Sequence, residues 1–174
     1  MFDPFPHQKD CLAAIEAARQ QGTGTALVVM ATGLGKTVTA GHAVKKWFGE
    51  ETGRVLYLCH QNDILYQACE TFRLILGHNL SYGYFHGEEK VLHEVDCLFG
   101  SFQTMQSSLE LFERDEFDYI IVDETHHSYA ETFKPVVDYF RPKFILAITA
   151  TPDRGDGQDI REIYGQEVFS LPLE

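Results

Sequence analysis

Short apolar runs alternate along the chain with longer stretches in which apolar residues recur at helical spacing. The apolar runs predict β-strands at 26–30, 54–60, 80–85, 95–99, 119–122 and 143–148. The periodic stretches predict helices at 6–21, 36–48, 63–76, 100–112 and 131–140. The strands are apolar throughout rather than alternating, which is typical of a parallel sheet covered on both faces. We therefore predict an α/β fold in which about six to seven parallel strands carry helices on both faces.

The first predicted strand leads directly into a turn that contains two glycines, Ala31-Thr32-Gly33-Leu34-Gly35-Lys36-Thr37. A strand, such a turn and a Lys-Thr pair that opens a helix form the layout of a phosphate-binding loop. Gly33 and Gly35 let backbone N–H groups approach phosphate oxygens, and the helix start adds unpaired donors. Lys36 supplies a charge for the β- and γ-phosphates, and Thr37 supplies a hydroxyl for Mg²⁺. We predict an ATP site made by Thr32, Gly33, Leu34, Gly35, Lys36, Thr37 and Val38.

A second motif, Asp123-Glu124, follows the apolar run 119–122. A buried parallel strand would deliver both carboxylates to its carboxyl end, where ligands bind in such sheets. Asp123 is predicted to hold Mg²⁺ through its water shell, and Glu124 to orient and deprotonate the attacking water. The alternative is an acidic strand end that caps the following helix. The phosphate loop also has an alternative interpretation. Met30 replaces the first glycine of the general phosphate-loop pattern, so residues 31–37 could instead form a Gly-Lys-Thr turn that binds no ligand.

Length and composition indicate one domain, residues 1–174, of ordinary globular composition. No apolar run approaches the ~20 residues that span a bilayer, and the N-terminus lacks the pattern of a secretory signal. We predict a cytoplasmic location with no membrane contact. The cysteines lack metal-ligand spacing and are predicted to be buried, reduced thiols: Cys11, Cys59, Cys69 and Cys97.

The formal net charge of −12 argues against a freestanding basic nucleic-acid binder. Any contact with nucleic acid must therefore be local and use backbone N–H groups and polar side chains. The alternative is that most of the positive surface belongs to residues outside this chain. A zinc site at His126-His127 is not predicted, because adjacent side chains on one element point in different directions.

Three motifs in this order resemble motifs I, II and III of superfamily 2 helicases: residues 31–37, Asp123-Glu124-Thr125-His126 and Thr149-Ala150-Thr151. Further segments resemble the glutamine motif, motif Ia and the next nucleic-acid-facing motif: Pro6-His7-Gln8, Leu56-Tyr57-Leu58-Cys59-His60-Gln61 and Ser101-Phe102-Gln103-Thr104. The combination looks closest to the DEAD/DEAH-box branch akin to the Res subunit of type III restriction enzymes. The resemblance covers essentially the whole chain and implies a RecA-like P-loop NTPase fold.

The resemblance implies roles for further residues. Gln8 would read the adenine edge of ATP, or else face solvent on its helix. His126, Thr149 and Thr151 would couple hydrolysis to movement of a partner domain, or else fill ordinary core and strand-end positions. The residues expected to touch the phosphate backbone of a bound strand are Gln61, Ser101, Gln103 and Thr104. Their alternative is loop and cap chemistry, for which Ser101 is well suited.

This sequence departs from the family pattern at three positions. Thr125 stands where Ala or Cys is usual, and Leu34 where a small polar residue is commoner. Phe5 occupies a place often filled by Arg, which bears on the adenine contacts.

Helicases of this class have two RecA-like domains with ATP between them. Too few residues follow Thr151 to form a second set of strands and helices. We therefore expect this chain to be the first motor domain, whose partner in cis is a second RecA-like domain that supplies arginine fingers. By itself it is expected to bind Mg-nucleotide weakly, to hydrolyse ATP very slowly and not to unwind a duplex.

The predicted function is that of the ATP-binding motor domain of a nucleic-acid-dependent ATPase or helicase, with DNA favoured over RNA and with ATP and Mg²⁺ as cofactors. The alternatives are a translocase that moves along duplex DNA without opening it, a small-molecule kinase and a nucleotide-binding scaffold. The Asp-Glu-Thr-His motif and the lack of an arginine-rich lid argue against the kinase. The intact set Lys36, Thr37, Asp123 and Glu124 argues against the scaffold.

Overall fold

The computed structural model describes residues 3–31, 33–91, 94–124, 130–150 and 160–171. In these ranges the strands are β1 (Thr25–Met30), β2 (Val55–Cys59), β3 (Tyr82–His86), β4 (Glu89–Lys90), β5 (Cys97–Ser101), β6 (Tyr119–Glu124), β7 (Phe144–Thr149) and β8 (Glu167–Leu171). The helices are α1 (Pro6–Gln20), α2 (Lys36–Phe48), α3 (Asn62–Leu76), α4 (Phe102–Gln106), α5 (Ala130–Tyr139) and α6 (Arg161–Tyr164), with a 3₁₀ turn at Leu109–Leu111.

The strands form one sheet in the order β4-β3-β5-β2-β6-β7-β1-β8. Every pairing in it is parallel except that of β3 with β4. The predicted α/β class with a mainly parallel sheet is confirmed. Strand β7 lies between β1 and β6, so the strand that enters the phosphate loop and the strand that ends in Asp123-Glu124 share one carboxyl edge. That edge is where open parallel sheets bind ligands.

Apolar side chains leave the sheet in both directions and form two cores. One core packs against α1, α2 and α3 and includes Val28, Trp47 and Phe72. The other packs against α4 and α5 and includes Leu27 and Phe102. Neighbouring residues of β1 therefore face opposite cores, as the two-residue period of a strand requires. Helices cover both faces of the sheet, as predicted.

Three segments differ from the sequence prediction. Residues 86–90, which the sequence prediction leaves outside any strand or helix, form a hairpin, because Gly87 and Glu88 make a two-residue turn that pairs Glu89 with His86. The helix predicted at 100–112 stops at Gln106, where Ser107 Oγ donates to the Thr104 carbonyl and competes with helical bonding. Strand β8 was not predicted; it pairs with β1 at the sheet edge, and its side chains are mostly half-buried.

None of the helices in the described ranges combines the length and apolar character that a bilayer crossing requires.

Gly53 precedes β2 at a crowded corner, with φ of +135°. An added Cβ would collide with the Asp118 carboxylate, whose Oδ2 accepts from Arg54 N at 3.1 Å. We expect Gly53→Ala to lower the free energy of unfolding by about 3 kcal/mol, since backbone strain and overpacking add. Gly24 is the matched control, because its φ is +77° but nothing lies within 4 Å of the added Cβ. Gly24→Ala should cost about 1 kcal/mol in urea unfolding, and equal losses for the two variants would contradict this reading.

The predicted burial of the cysteines is confirmed. All are free thiols in the core: Cys11, Cys59, Cys69 and Cys97. Burial raises the pKa of Cys11 and of Cys59 to about 12. Because the thiolate is the reactive form, we expect iodoacetamide at pH 8 to leave the folded chain unmodified and to label all the cysteines in urea. Mass spectrometry measures the labelling, and rapid reaction of any thiol in the folded chain would contradict this burial.

Candidate nucleotide-binding site

The described part of the phosphate loop, Ala31 and residues 33–37, leads from β1 into α2. Gly33 and Gly35 both have positive φ, +90° and +85°. Leu34 N donates to the Ala31 carbonyl at 3.2 Å, which closes the turn. Gly35 precedes α2, and a Cβ on it would collide with the Gln8 amide. Glycine at 35 is therefore needed both for the backbone conformation and for the close approach of α1.

Helix α1 holds the phosphate loop through one carbonyl. Leu34 O lies 2.9 Å from His7 Nε2 and 3.2 Å from Gln8 Nε2. The other amide atom of Gln8, Oε1, accepts from Phe5 N at 2.8 Å, and the residue is buried. The side-chain amide of Gln8 thus links the backbone of Phe5, just before α1, to the phosphate loop at Leu34. Its predicted contact with the adenine edge stays a prediction.

A cavity of about 440 Å³ opens beside the loop. Gln8, Gly33, Leu34, Gly35 and Val38 from the predicted ATP site line it, together with Asp3, Phe5 and His7. Phe5 is 65% exposed, and its ring stacks on His7 with centroids 6.1 Å apart. The cavity has the apolar walls and few polar groups that a nucleotide base needs.

The buried Asp123 carboxylate lies against the phosphate loop. Its Oδ1 lies 3.9 Å from Lys36 Nζ, and its Oδ2 accepts from the Tyr57 hydroxyl at 2.6 Å. Burial raises the pKa of Asp123 above its usual range, while Lys36 and the Tyr57 hydrogen bond act against that rise. Asp123 is only 3% exposed, so the sheet holds a desolvated charge at the edge where the loop begins.

The residues present fit a magnesium ion. Asp123 Oδ1 is buried and has no hydrogen-bond partner among the described residues. A buried carboxylate oxygen without a donor is costly unless another group satisfies it. Thr37, in the first turn of α2, offers a hydroxyl, and Mg²⁺ favours a few protein oxygens plus phosphate and water. Asp123 and Thr37 would hold the ion, as the sequence predicts.

Thr149 ends β7 and lies between the two motifs. It pairs with Val29 of β1 on one side and with Glu124 of β6 on the other, and it is buried. This position suits the predicted coupling role, which stays a prediction. Glu124 ends β6 at the same edge. Thr32, His126 and Thr151 lie outside the described residues.

The residues predicted to contact nucleic acid lie at the carboxyl ends of β2 and β5. These two strands pair with each other, and Cys59 of β2 lies opposite Ser101 of β5. Gln61 and Gln103 are exposed beyond these strand ends, and Thr104 is half-buried. Ser101 is buried, and its Oγ accepts from Thr104 N at 3.3 Å as the cap of α4. Ser101 therefore acts as a helix cap, and Gln61 and Gln103 are exposed. The nucleic-acid contacts of these residues stay predictions.

Two site residues were not identified from the sequence. Tyr57 lies in the apolar run of β2. The sequence of such a run does not show whether a tyrosine uses its hydroxyl or only packs its ring in the core. His7 lies in the Pro-His-Gln segment, whose resemblance to the glutamine motif points to Gln8 alone. Its contact with Leu34 spans 27 positions of sequence, so no local pattern predicts it.

These features define a P-loop nucleotide-binding domain of the RecA-like type. The chain belongs to the family described as "Type III restriction enzyme, res subunit", whose family model matches residues 1–154. The predicted family is thereby confirmed.

Relatives and solved structures agree with this class. IRC3 of Saccharomyces cerevisiae, named as an ATP-dependent helicase, is 26% identical over 178 residues, which is 94% of this chain and 25% of that protein. The chain spans about a quarter of the length of the curated relatives it matches.

The fold is similar to that of a fragment of an HsdR subunit of a type I restriction enzyme from Vibrio vulnificus YJ016. The TM-score is 0.74 at 24% identity, and the match covers 98% of this chain and 30% of that chain. It is also similar to the SWI2/SNF2 ATPase core of Sulfolobus solfataricus in complex with dsDNA. Here the TM-score is 0.71 at 18% identity, and the match covers 94% of this chain and 35% of that chain. The predicted RecA-like fold is confirmed.

Proposed function

We propose that this chain is the ATP-binding motor domain of a nucleic-acid-dependent ATPase of the helicase type. The observation that carries the proposal is the meeting of Lys36 and Asp123, 3.9 Å apart, at the carboxyl edge of the sheet. One residue belongs to the phosphate loop and the other to the acidic motif, 87 positions later (123 − 36). A phosphate and a magnesium ion placed there would touch both.

The roles of the residues follow from this placement. Backbone N–H groups of the phosphate loop and the Lys36 ammonium would bind the phosphates. Thr37 and Asp123 would hold the magnesium ion, which supplies charge neutralisation at the transferring phosphoryl group. Glu124 would act as the base that orients the attacking water. The cavity beside Phe5 and Gln8 would take the base of ATP.

DNA is the proposed nucleic acid, and a second RecA-like domain in cis is the proposed partner. The family match to a restriction enzyme subunit and the similarity to an ATPase core in complex with dsDNA support DNA. The exposed Gln61 and Gln103 lie at the ends of neighbouring strands and carry no charge. Such residues suit backbone contacts that position a strand without reading its sequence.

Whether the motor opens the duplex or moves along it closed is the remaining choice within this proposal. The similarity to an ATPase core in complex with dsDNA supports movement along closed duplex, and the helicase name of IRC3 supports unwinding. A scaffold that binds nucleotide without hydrolysis is disfavoured, because the residues proposed for hydrolysis, Thr37, Asp123 and Glu124, are intact beside Lys36.

The test is stimulation of ATP hydrolysis in a protein that joins this chain to a second RecA-like domain. We expect duplex or single-stranded DNA to raise the rate of ATP hydrolysis at least about tenfold. Bound DNA would bring the two domains together, and an arginine finger from the second domain contributes about 10³–10⁵-fold to such a rate. RNA of equal length is the comparison, and Glu124→Gln sets the background. Stimulation by a small metabolite instead of DNA would indicate a kinase, and no hydrolysis above the Glu124→Gln background with either would indicate a scaffold.

A further inference from the structure

Tyr57 places a phenol hydroxyl inside the magnesium end of the site. It lies in the middle of β2, is 2% exposed, and its hydroxyl donates to Asp123 Oδ2 at 2.6 Å. Its ring packs edge-on against Phe72 at 5.6 Å between centroids and tilted against Phe99 at 5.5 Å. These contacts fix the ring, so the hydroxyl is a rigid donor.

The hydrogen bond from this hydroxyl goes to a candidate magnesium ligand, Asp123. The phenol also lies close to the side chain of Thr37, the other candidate ligand, in the first turn of α2. Because Oδ2 of Asp123 is taken by Tyr57, the carboxylate is turned so that Oδ1 lies towards Lys36. Oδ1 is also the oxygen that lacks a hydrogen-bond partner among the described residues.

We propose that Tyr57 is a positioning residue for magnesium, whose hydroxyl holds Oδ2 of Asp123 so that Oδ1 faces the ion. This inference rests on the proposed nucleotide site. Groups that hydrogen-bond to metal ligands fix the orientation of those ligands, and their removal costs about 10–100-fold in metal affinity.

Tyr119 shows that a phenol in this core does not need such partners. It lies in β6, four positions before Asp123, and packs in the same core as Tyr57. It is fully buried, and its hydroxyl has no hydrogen-bond partner in the described ranges. Tyr119→Phe is therefore a matched control that removes the same atom from the same core, away from the site.

The experiment is calorimetric titration of the folded chain with ADP over a series of Mg²⁺ concentrations. For Tyr57→Phe we expect the Mg²⁺ concentration that gives half of the gain in ADP affinity to rise about tenfold. ADP affinity without Mg²⁺ should stay within about twofold of wild type. Tyr119→Phe should match wild type in both measurements.

Two results would overturn the inference alone: a wild-type Mg²⁺ response in Tyr57→Phe, or an equal loss of ADP affinity with and without Mg²⁺. The second result would mean that the phenol serves only the packing of the site. Failure of wild type to bind ADP under any condition would instead overturn the proposed function, and this inference with it.

A second measurement uses only the wild-type chain and so does not depend on the folding of the variant. With tyrosine labelled at Cζ with ¹³C, addition of Mg²⁺ to the ADP-bound chain should move the Tyr57 resonance and leave that of Tyr119 in place. An unmoved Tyr57 resonance in a chain that binds Mg-ADP would contradict a positioning role.

Discussion

Replacement of Lys36 with alanine should lower the affinity of the chain for ADP about 100-fold. A hydrogen bond from a charged group to phosphate contributes about 3 kcal/mol, and that free energy corresponds to about 100-fold in Kd. Only 14% of the Lys36 side chain is exposed, so in the alanine variant water would poorly replace the lost contact with phosphate. Isothermal titration calorimetry with ADP and Mg²⁺ measures the change.

Lys45→Ala is the control for this variant. Lys45 belongs to the same helix, α2, and is exposed. Its removal changes the net charge equally without touching the phosphate loop. ADP affinity that falls equally in both variants would show a general charge effect and would contradict a specific contact at Lys36.

Replacement of Asp123 with asparagine should abolish the strengthening of ADP binding by Mg²⁺, because a neutral amide is a much poorer ligand for this hard cation than a carboxylate. Binding without Mg²⁺ should persist. Stability should rise, since burial outweighs Lys36 and Tyr57 in raising the pKa of this carboxylate, and the change removes that buried charge. The asparagine carbonyl would still accept from Tyr57.

Two measurements check this pair of effects, calorimetry across Mg²⁺ concentrations and urea unfolding. Asp138→Asn is the control, because Asp138 is an exposed carboxylate paired with Lys134 on α5. It should leave the Mg²⁺ response unchanged and stability within about 0.5 kcal/mol. If Asp123→Asn kept a wild-type Mg²⁺ response, Asp123 would not be a magnesium ligand.

The fold could be predicted from the sequence where burial is complete. Strands such as β1 and β6 are apolar on both faces, so each is visible as a continuous run. The parts that were missed lie at the sheet edges. Strand β4 has two exposed residues, and β8 is only half-buried, so neither has a strong apolar pattern. Their pairing depends on a tight turn and on a neighbouring strand edge, which are tertiary features.

The site could be predicted where its residues are tied to a local motif. Lys36 and Asp123 were found because a glycine turn and an acidic strand end are short patterns with a physical reason. The contacts of Tyr57 and Gln8 could not be found this way. Tyr57 meets Asp123 across 66 positions of sequence, and Gln8 meets Leu34 across 26. Only the tertiary fold brings these pairs together.

The most direct test of the central claim is a map of where Mg-ADP binds. In backbone amide spectra of the labelled chain, we predict that Mg-ADP shifts the resonances of 33–38 and of Asp123 and Thr149, which share one edge of the sheet. Shifts confined to another surface, such as the cavity lined by His42, Lys45 and Lys46, would contradict the account. The absence of any shift at millimolar nucleotide would contradict it as well.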